Sequence, residues 1–169
     1  MTPEAYAQLI FVEGKGFALK MTCVETDPKA VYNNYNDPVY TDSCLEFFVS
    51  FNIDNGKYMN FEMNANAAFL SAVRTDRKNK TEIDKLAALP EVKANIEADK
   101  WTVETFFDLD FIEKTSGKKD FARGESFKGN FYKCGDETAI PHFGMWSPVD
   151  NPTPDFHRPE FFGTLTIEA

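Results

Sequence analysis

Two neighbouring segments of the chain place carboxylate and amide side chains at alternate positions. Glu46 lies in CLEFFVSF, and Glu62 and Asn64 lie in KYMNFEMNA. Alternate residues of a β-strand share one face, so these groups would line one side of a hairpin together with Phe48. Carboxylates and amides hydrogen-bond to hydroxyl groups, and an aromatic ring packs against the apolar face of a sugar. The pattern indicates either an ordinary wet sheet face or a platform for a neutral, hydroxyl-rich ligand.

The apolar residues of the same hairpin predict its core face and its register. A three-residue loop at residues 54–56 would bring both apolar faces to one side, with Gly56 in the left-handed conformation of a bulged turn. That register predicts Glu46 opposite Asn64, with the polar face turned to solvent. The predicted core residues are Leu45, Phe47, Val49, Phe51, Phe61 and Met63.

The same two-residue alternation runs through most of the chain. It is found in AQLIFVEG, GFALKMTCVE, FLSAVR, WTVETFFDL, KGNFYKC and FGTLTIE. Short aromatic and β-branched strands separated by turn residues predict an all-β fold, an antiparallel β-sandwich. Only residues 81–98 carry a helical pattern, in which Thr81 and Asp84 resemble a capping box and Pro90 can open a second turn. We therefore expect a short helical insertion there.

Length and charge narrow the classes of protein to consider. A chain of 169 residues predicts a single domain over residues 1–169. A net charge of -9 without a basic stripe argues against nucleic-acid binding. The N-terminal sequence has no charged start followed by a long apolar run, so we expect no signal peptide, no membrane span and a cytoplasmic location.

The cysteines are predicted to be free thiols. Cys23, Cys44 and Cys134 lie far apart in the sequence and show no paired spacing. An odd number of cysteines in a chain without a signal peptide is typical of a reducing compartment, and the lack of a CxxC pair argues against structural zinc. Cys44 and Cys134 are expected to lie close together without a bridge.

Residues 134–163 gather the rarest side chains of the chain. Both histidines, one of the two tryptophans and several prolines lie in this irregular stretch. It could be a loop that carries binding residues on a rigid scaffold, or a stiff connection into the last strand.

Five stretches then point to a family. NDPVYTDSCLEFFVSF, YMNFEMNA, NFYKCGD, PHFGMWSP and DFHRPEFFG occur in this order. They resemble the family 9 carbohydrate-binding modules, most closely the family-9-like branch of short bacterial proteins, from about Phe11 to the end. The resemblance implies a jelly-roll β-sandwich that binds a mono- or oligosaccharide without catalysis. It implies no cofactor, although calcium ions often brace such modules.

The resemblance also assigns residues. In the family, two tryptophans clamp a sugar end, and one of them matches Trp146. The family's polar glutamate matches Glu46, and its asparagine on the next strand matches Asn64. The second tryptophan follows an Asp-Pro pair, where this chain has Val39 and then Tyr40. Glu62 stands where the family has an arginine, which reverses a charge.

Three further residues are candidates for the same site. Tyr132 is a candidate for the rim, and His142, four residues before Trp146, for the lining. Arg158 could reach a ligand hydroxyl, or could lock the start of the last strand with His157. Lys133, next to Tyr132, would point inward and would need a buried partner.

Three alternatives remain open at this point. Glu46 and Glu62 could act as the paired carboxylates of a glycoside hydrolase, although carboxylates on a flat sheet stay solvated. Met145 and His142 could ligate a haem. The domain could also be a protein-interaction module with a vestigial sugar site.

Overall fold

The computed structural model describes residues 2–168, which form eleven strands in two antiparallel sheets. The strands are β1 (Glu4–Val12), β2 (Gly16–Val24), β3 (Cys44–Ser50), β4 (Tyr58–Asn64), β5 (Phe69–Arg74), β6 (Lys80–Glu82), β7 (Val92–Ile96), β8 (Trp101–Asp108), β9 (Ser126–Gly135), β10 (His142–Met145) and β11 (Gly163–Thr166). The smaller sheet has the order β1-β2-β8-β7. The larger has the order β10-β9-β3-β4-β5-β6, with β11 also paired to β9. This confirms the predicted antiparallel β-sandwich.

The core lies between the two sheets and is largely aromatic. Odd-numbered residues of β3 and β4 point into it, and all six predicted core residues are buried. The ring of Phe47 stacks on Phe131 of β9, with 4.8 Å between centroids. From the smaller sheet, Phe17 and Phe107 are buried in the same cluster. The alternation in the sequence therefore identified the correct face of each strand.

The pairing within the β3–β4 hairpin differs from the prediction by two residues. Glu46 lies opposite Glu62, and Asn64 lies opposite Cys44. Gly56 is left-handed as expected, with φ of 66°, but the loop is longer because Asn side chains support it. The Asn52 side chain accepts from the Asp54 amide, and the Asn55 side chain donates to the Ser116 carbonyl. A shift of two residues keeps every side chain on its face, so the core prediction survived it.

The helix lies elsewhere than predicted. Residues 81–98 contain the end of β6, a 3-10 turn at Ile83–Lys85, and β7. Ile83 is fully buried, and β7 pairs with β8, so tertiary contacts override a weak helical pattern that Pro90 also interrupts. The α-helix α1 is Leu109–Ser116. Across residues 2–168, no helix combines the length and the apolar character that a bilayer crossing requires.

The outer face of the larger sheet is covered rather than exposed. Residues 147–162, here called the covering segment, fold back over this face. The ring of Phe156 stacks on Tyr132 at 4.0 Å between centroids, and the ring of His157 lies 5.0 Å from that of Phe48. The polar platform predicted to face solvent is therefore the floor of a pocket.

Candidate functional site

A pocket of about 290 Å³ lies between the covering segment and the outer face of the larger sheet. We call it the acidic pocket. Strands β3, β4 and β9 supply its floor, because even-numbered residues of β3 and β4 point outward. β5 and the turn before β3 supply walls, and the covering segment supplies another. Its lining includes Tyr40, Glu46, Phe48, Glu62, Leu70, Arg74, Arg77, Cys134, Asp136, Phe143, Asp155, Phe156 and His157.

The two floor carboxyl groups are buried and face each other across the β3–β4 ladder. Glu46 Oε1 accepts a hydrogen bond from Cys134 Sγ at 2.9 Å, and Glu62 Oε1 accepts one from the side-chain amide of Asn60, Nδ2, at 2.9 Å. Burial raises the pKa of Glu46 well above its ordinary value, and burial raises the pKa of Glu62 to about 7. The expectation that these carboxylates stay solvated is wrong, since the covering segment removes them from water.

Positive charge reaches the pocket from β5. Arg74 occupies an outward position of that strand, and its Nε donates to Asn60 Oδ1 at 2.7 Å. Its Nη1 donates to the Arg77 carbonyl at 2.7 Å, and Arg77 in turn pairs with Asp155 at 2.8 Å. Sequence reasoning missed Arg74, although the alternation in FLSAVR places it on the outward face. Arg74 of β5 thus brings a guanidinium to the pocket, whereas the resemblance places the family's arginine at the β4 position that Glu62 occupies here.

Two ring-bearing residues border the pocket. Tyr40 lies in a 3-10 turn at Val39–Thr41 and keeps 40% of its surface exposed. His157, which was assigned to the start of the last strand, instead lines the pocket, and its Nδ1 lies 3.0 Å from Tyr58 Oη. Burial lowers the pKa of His157 to about 4, so the ring is neutral at pH 7.

Two predicted site residues support the pocket without lining it. The Asn64 amide donates to the Tyr32 carbonyl and to Asp42 Oδ2, both at 2.9 Å. It thereby anchors the segment before β3. Tyr132 lies beneath Phe156 and donates from its hydroxyl to the Phe156 carbonyl at 3.3 Å. Neither side chain is open to a ligand, because both are buried by these partners.

Trp146 and His142 point away from the acidic pocket. They lie at even positions in and just after β10, whose odd residues, Phe143 and Met145, pair with the outward residues of β9. Trp146 is 53% exposed and lines a groove of about 710 Å³ at the edge of the sandwich, which we call the edge groove. The structure therefore does not bring Trp146 together with Glu46. Because β10 was not predicted as a strand, its alternation could not be used.

The placement of His142 also removes support for haem ligation. His142 Nε2 lies 2.7 Å from Lys133 Nζ inside the sandwich, whereas Met145 Sδ accepts from the Val149 amide on the other face of β10. The two side chains cannot ligate one iron from this arrangement. Arg158 does not line the acidic pocket either, since it binds Asn151 Oδ1 and Glu160 Oε1.

Asp42 is a fully buried acidic residue next to the acidic pocket, so its surroundings show whether a calcium ion could bind there. Its Oδ2 accepts from the amides of Val31 and Tyr32 and from the Asn64 side chain. Its Oδ1 faces Lys29 Nζ at 3.8 Å. Calcium requires six to eight oxygen ligands, whereas nitrogen donors and an ammonium surround this carboxylate. The residues at Asp42 do not fit a calcium ion.

Comparisons with known proteins agree with the fold. The family model described as carbohydrate-binding family 9 matches residues 8–167. A Bacteroides uniformis protein described as a "putative carbohydrate-binding protein" shares 28% identity with a TM-score of 0.80, covering 98% of this chain and 79% of that one. No curated protein matches the chain significantly.

Two solved family 9 modules from Caldicellulosiruptor kristjanssonii are also similar. The one in complex with glucose shares 14% identity with a TM-score of 0.67, covering 99% of this chain and 78% of that one. The one in complex with cellotriose shares 15% identity with a TM-score of 0.62, covering 99% and 77%. At these identities the similarity establishes the β-sandwich fold.

Proposed function

The chain belongs to carbohydrate-binding family 9, and from that premise we propose that it binds a neutral sugar in the acidic pocket without breaking a bond. The observation that carries the proposal is the composition of this one pocket. It combines an exposed ring, Tyr40, with two carboxyl groups, Glu46 and Glu62, and a guanidinium, Arg74. The solved family 9 modules that hold glucose and cellotriose support a sugar as the ligand class.

Each group has a separate task in this binding mode. Tyr40 packs against the apolar face of the sugar ring. Arg74 offers donors in a planar fork, and Glu62 offers acceptors, so neighbouring hydroxyls can be bridged from both sides. Burial raises the pKa of Glu46 and so favours its protonated form, which would add a donor on the floor. A volume of about 290 Å³ is at the small end for ligand sites and suits a single sugar ring or the end of a chain.

The test compares binding between two candidate surfaces. Glucose, xylose, galactose and their disaccharides would be titrated into the protein by calorimetry and by NMR. Tyr40→Ala should weaken binding roughly tenfold, because stacking on one ring contributes about 0.5–1.5 kcal/mol beyond area burial. Glu62→Gln should also weaken it above pH 7, where the ionised form of Glu62 predominates and a charged acceptor makes the stronger hydrogen bond.

Trp146→Ala is the matched control, because Trp146 is an exposed ring outside the acidic pocket. We expect this variant to bind as the wild type does. If Trp146→Ala abolishes binding while Tyr40→Ala does not, the sugar site is the edge groove and the acidic pocket is the wrong assignment. If no sugar binds at all, the protein-interaction alternative replaces sugar binding.

One observation supports glycoside hydrolysis as a second candidate. Glu46 and Glu62 are directly opposed, and both pKa values are raised by burial, as a general acid requires. Against it, family 9 is a family of binding modules. Incubation with the same disaccharides, followed by product analysis, separates the two: cleavage that Glu46→Gln or Glu62→Gln abolishes would establish a hydrolase, and a disaccharide that binds but stays intact would support binding without catalysis.

A further inference from the structure

Two cysteines and a glutamate converge at one end of the acidic pocket floor. Cys44 of β3 lies directly opposite Cys134 of β9, and Glu46 is on the same outward face, two residues after Cys44. Cys134 Sγ donates to Glu46 Oε1 at 2.9 Å. The two sulfurs and a carboxylate oxygen all lie within 4.8 Å of one another. We call these three side chains the thiol cluster.

The cluster contains a buried polar atom without a hydrogen-bond partner. Glu46 Oε2 is buried and has no hydrogen-bond partner among residues 2–168, and the side chain as a whole is 2% exposed. A buried carboxyl oxygen without a partner is costly. The position of Glu46 in the pocket lining means that the missing partner can arrive from solvent.

We propose that the thiol cluster binds a thiophilic divalent cation of the zinc class. Cys44 Sγ, Cys134 Sγ and a Glu46 carboxylate oxygen would supply three ligands, and the fourth tetrahedral position would face the acidic pocket. Thiolate and carboxylate are both ligands that zinc takes in proteins. This inference goes beyond sugar binding, because it concerns an ion. Glu46 would ligate the ion as a carboxylate in the loaded protein and would donate to a sugar only in the metal-free protein. Cys44 and Cys134 meet across β3 and β9, so the lack of a CxxC pair does not exclude this site.

The geometry is compatible with a tetrahedral ion. Ligands at the zinc–sulfur and zinc–oxygen distances of about 2.0–2.3 Å are roughly 3.3–3.8 Å apart around a tetrahedron. Atoms that already lie within 4.8 Å reach this spacing by small side-chain rotations. Calcium and magnesium are excluded as occupants, because both require oxygen ligands.

Access to the cluster is compatible with an ion that arrives from solvent. Glu62 and Asp136 line the same pocket as the cluster, and Arg74 and Arg77 supply its opposing charges. Cys134 and Glu46 both line the pocket, so an ion can reach them, while Cys44 is fully buried behind. Binding would release the two thiol protons and the carboxyl proton to solvent.

The experiment uses Co²⁺ as a spectroscopic probe on the full chain, reduced and stripped of metal by a chelator. A sulfur-to-cobalt charge-transfer band and intense visible bands of tetrahedral Co²⁺ should grow to one equivalent, and Zn²⁺ should remove them. Cys44→Ser and Cys134→Ser should each weaken Zn²⁺ binding at least 100-fold in calorimetry. Glu46→Gln should weaken binding while the charge-transfer band is kept.

Cys23→Ala is the matched control, because Cys23 is equally buried but lies between the sheets beside Glu25. It should leave both the cobalt spectrum and the Zn²⁺ affinity unchanged. The proposal is overturned if the wild type gives no charge-transfer band. It is also overturned if Cys44→Ser and Cys134→Ser, shown by circular dichroism to be folded, bind Zn²⁺ as tightly as Cys23→Ala does.

Discussion

Burial sets the protonation state of the side chains around the acidic pocket. The covering segment shields Glu46 and Glu62 on the pocket floor from water. Its own residue His157 is shielded from water on one side of the pocket. Burial disfavours the charged form of each group, so the pKa of the histidine falls to about 4 while those of the two glutamates rise. Burial thus favours the neutral form of these three groups in the pocket.

His157 should make the protein less stable in mild acid. Its pKa is about 4 in the folded protein against 6.5 ordinarily. Between these values the unfolded chain binds a proton that the folded protein does not, so the free energy of unfolding falls as pH decreases from about 6.5 to 4. Replacing His157 by Gln should remove about 2 kcal/mol of this loss between pH 7 and 4.5.

Urea unfolding of the wild type and His157→Gln at several pH values checks this prediction. Glutamine can still hydrogen-bond to Tyr58 Oη, so the comparison at pH 7 isolates the effect of the substitution on packing. Parallel stability curves for the two proteins across this range would show that the protonation of His157 is not linked to unfolding.

At the scale of elements, α1 is held by a side-chain cap at its start. Asp108 Oδ1 accepts a hydrogen bond from the Phe111 amide at 2.7 Å, and Gly117 ends the helix in the left-handed conformation. Asp108→Ala should cost about 1 kcal/mol of stability, as loss of an N-cap usually does. Asp110→Ala is the control in the same turn, since it removes only an exposed pair with Lys114 and should change stability much less. Thermal unfolding of both variants measures the difference, and equal destabilisation would argue against the cap.

The sequence predicted the faces of the elements better than their partners. Alternation in β3 and β4 identified the core residues, because a strand has only two faces. The pairing of Glu46 with Glu62 could not be predicted from it, since any even shift preserves the faces. Residues 81–98 had a helical pattern, but burial of Ile83 and pairing with β8 decided their structure.

The acidic pocket was predictable only in part, because the residues that line it come from segments far apart in the chain. Glu46, Glu62 and Tyr40 were identified from the sequence, whereas Arg74 and His157 enter from distant segments. The orientation of Trp146 depended on a strand, β10, that pairs through only four residues. Contacts between residues far apart in the chain leave no periodic signal, so the covering segment could not be foreseen.

At the scale of the whole molecule, a buried charged cluster joins the two sheets at one end of the sandwich. Lys133 of β9 points inward, as the alternation predicted, and its Nζ binds Ser43 Oγ at 2.9 Å and lies 3.7 Å from Glu25 Oε2. Glu25 follows β2 of the smaller sheet and also accepts from Trp101 Nε1 at 3.0 Å. The predicted need of Lys133 for a buried partner is thus met across the sandwich.

This cluster should stabilise the fold through the interaction between Lys133 and Glu25. Either charge without its partner should destabilise the protein. Lys133→Met leaves the Glu25 carboxylate partly buried without its cation, which should cost about 2–4 kcal/mol. The double variant Lys133→Met with Glu25→Gln should recover more than half of that loss, because no unpaired charge remains. Lys20→Met, which breaks an exposed pair with Glu104 on the smaller sheet, is the control and should leave stability nearly unchanged. Denaturant unfolding of the wild type, Lys133→Met, Glu25→Gln and the double variant gives the coupling energy between Lys133 and Glu25; strictly additive effects would mean that the two sheets are not held together by this pair.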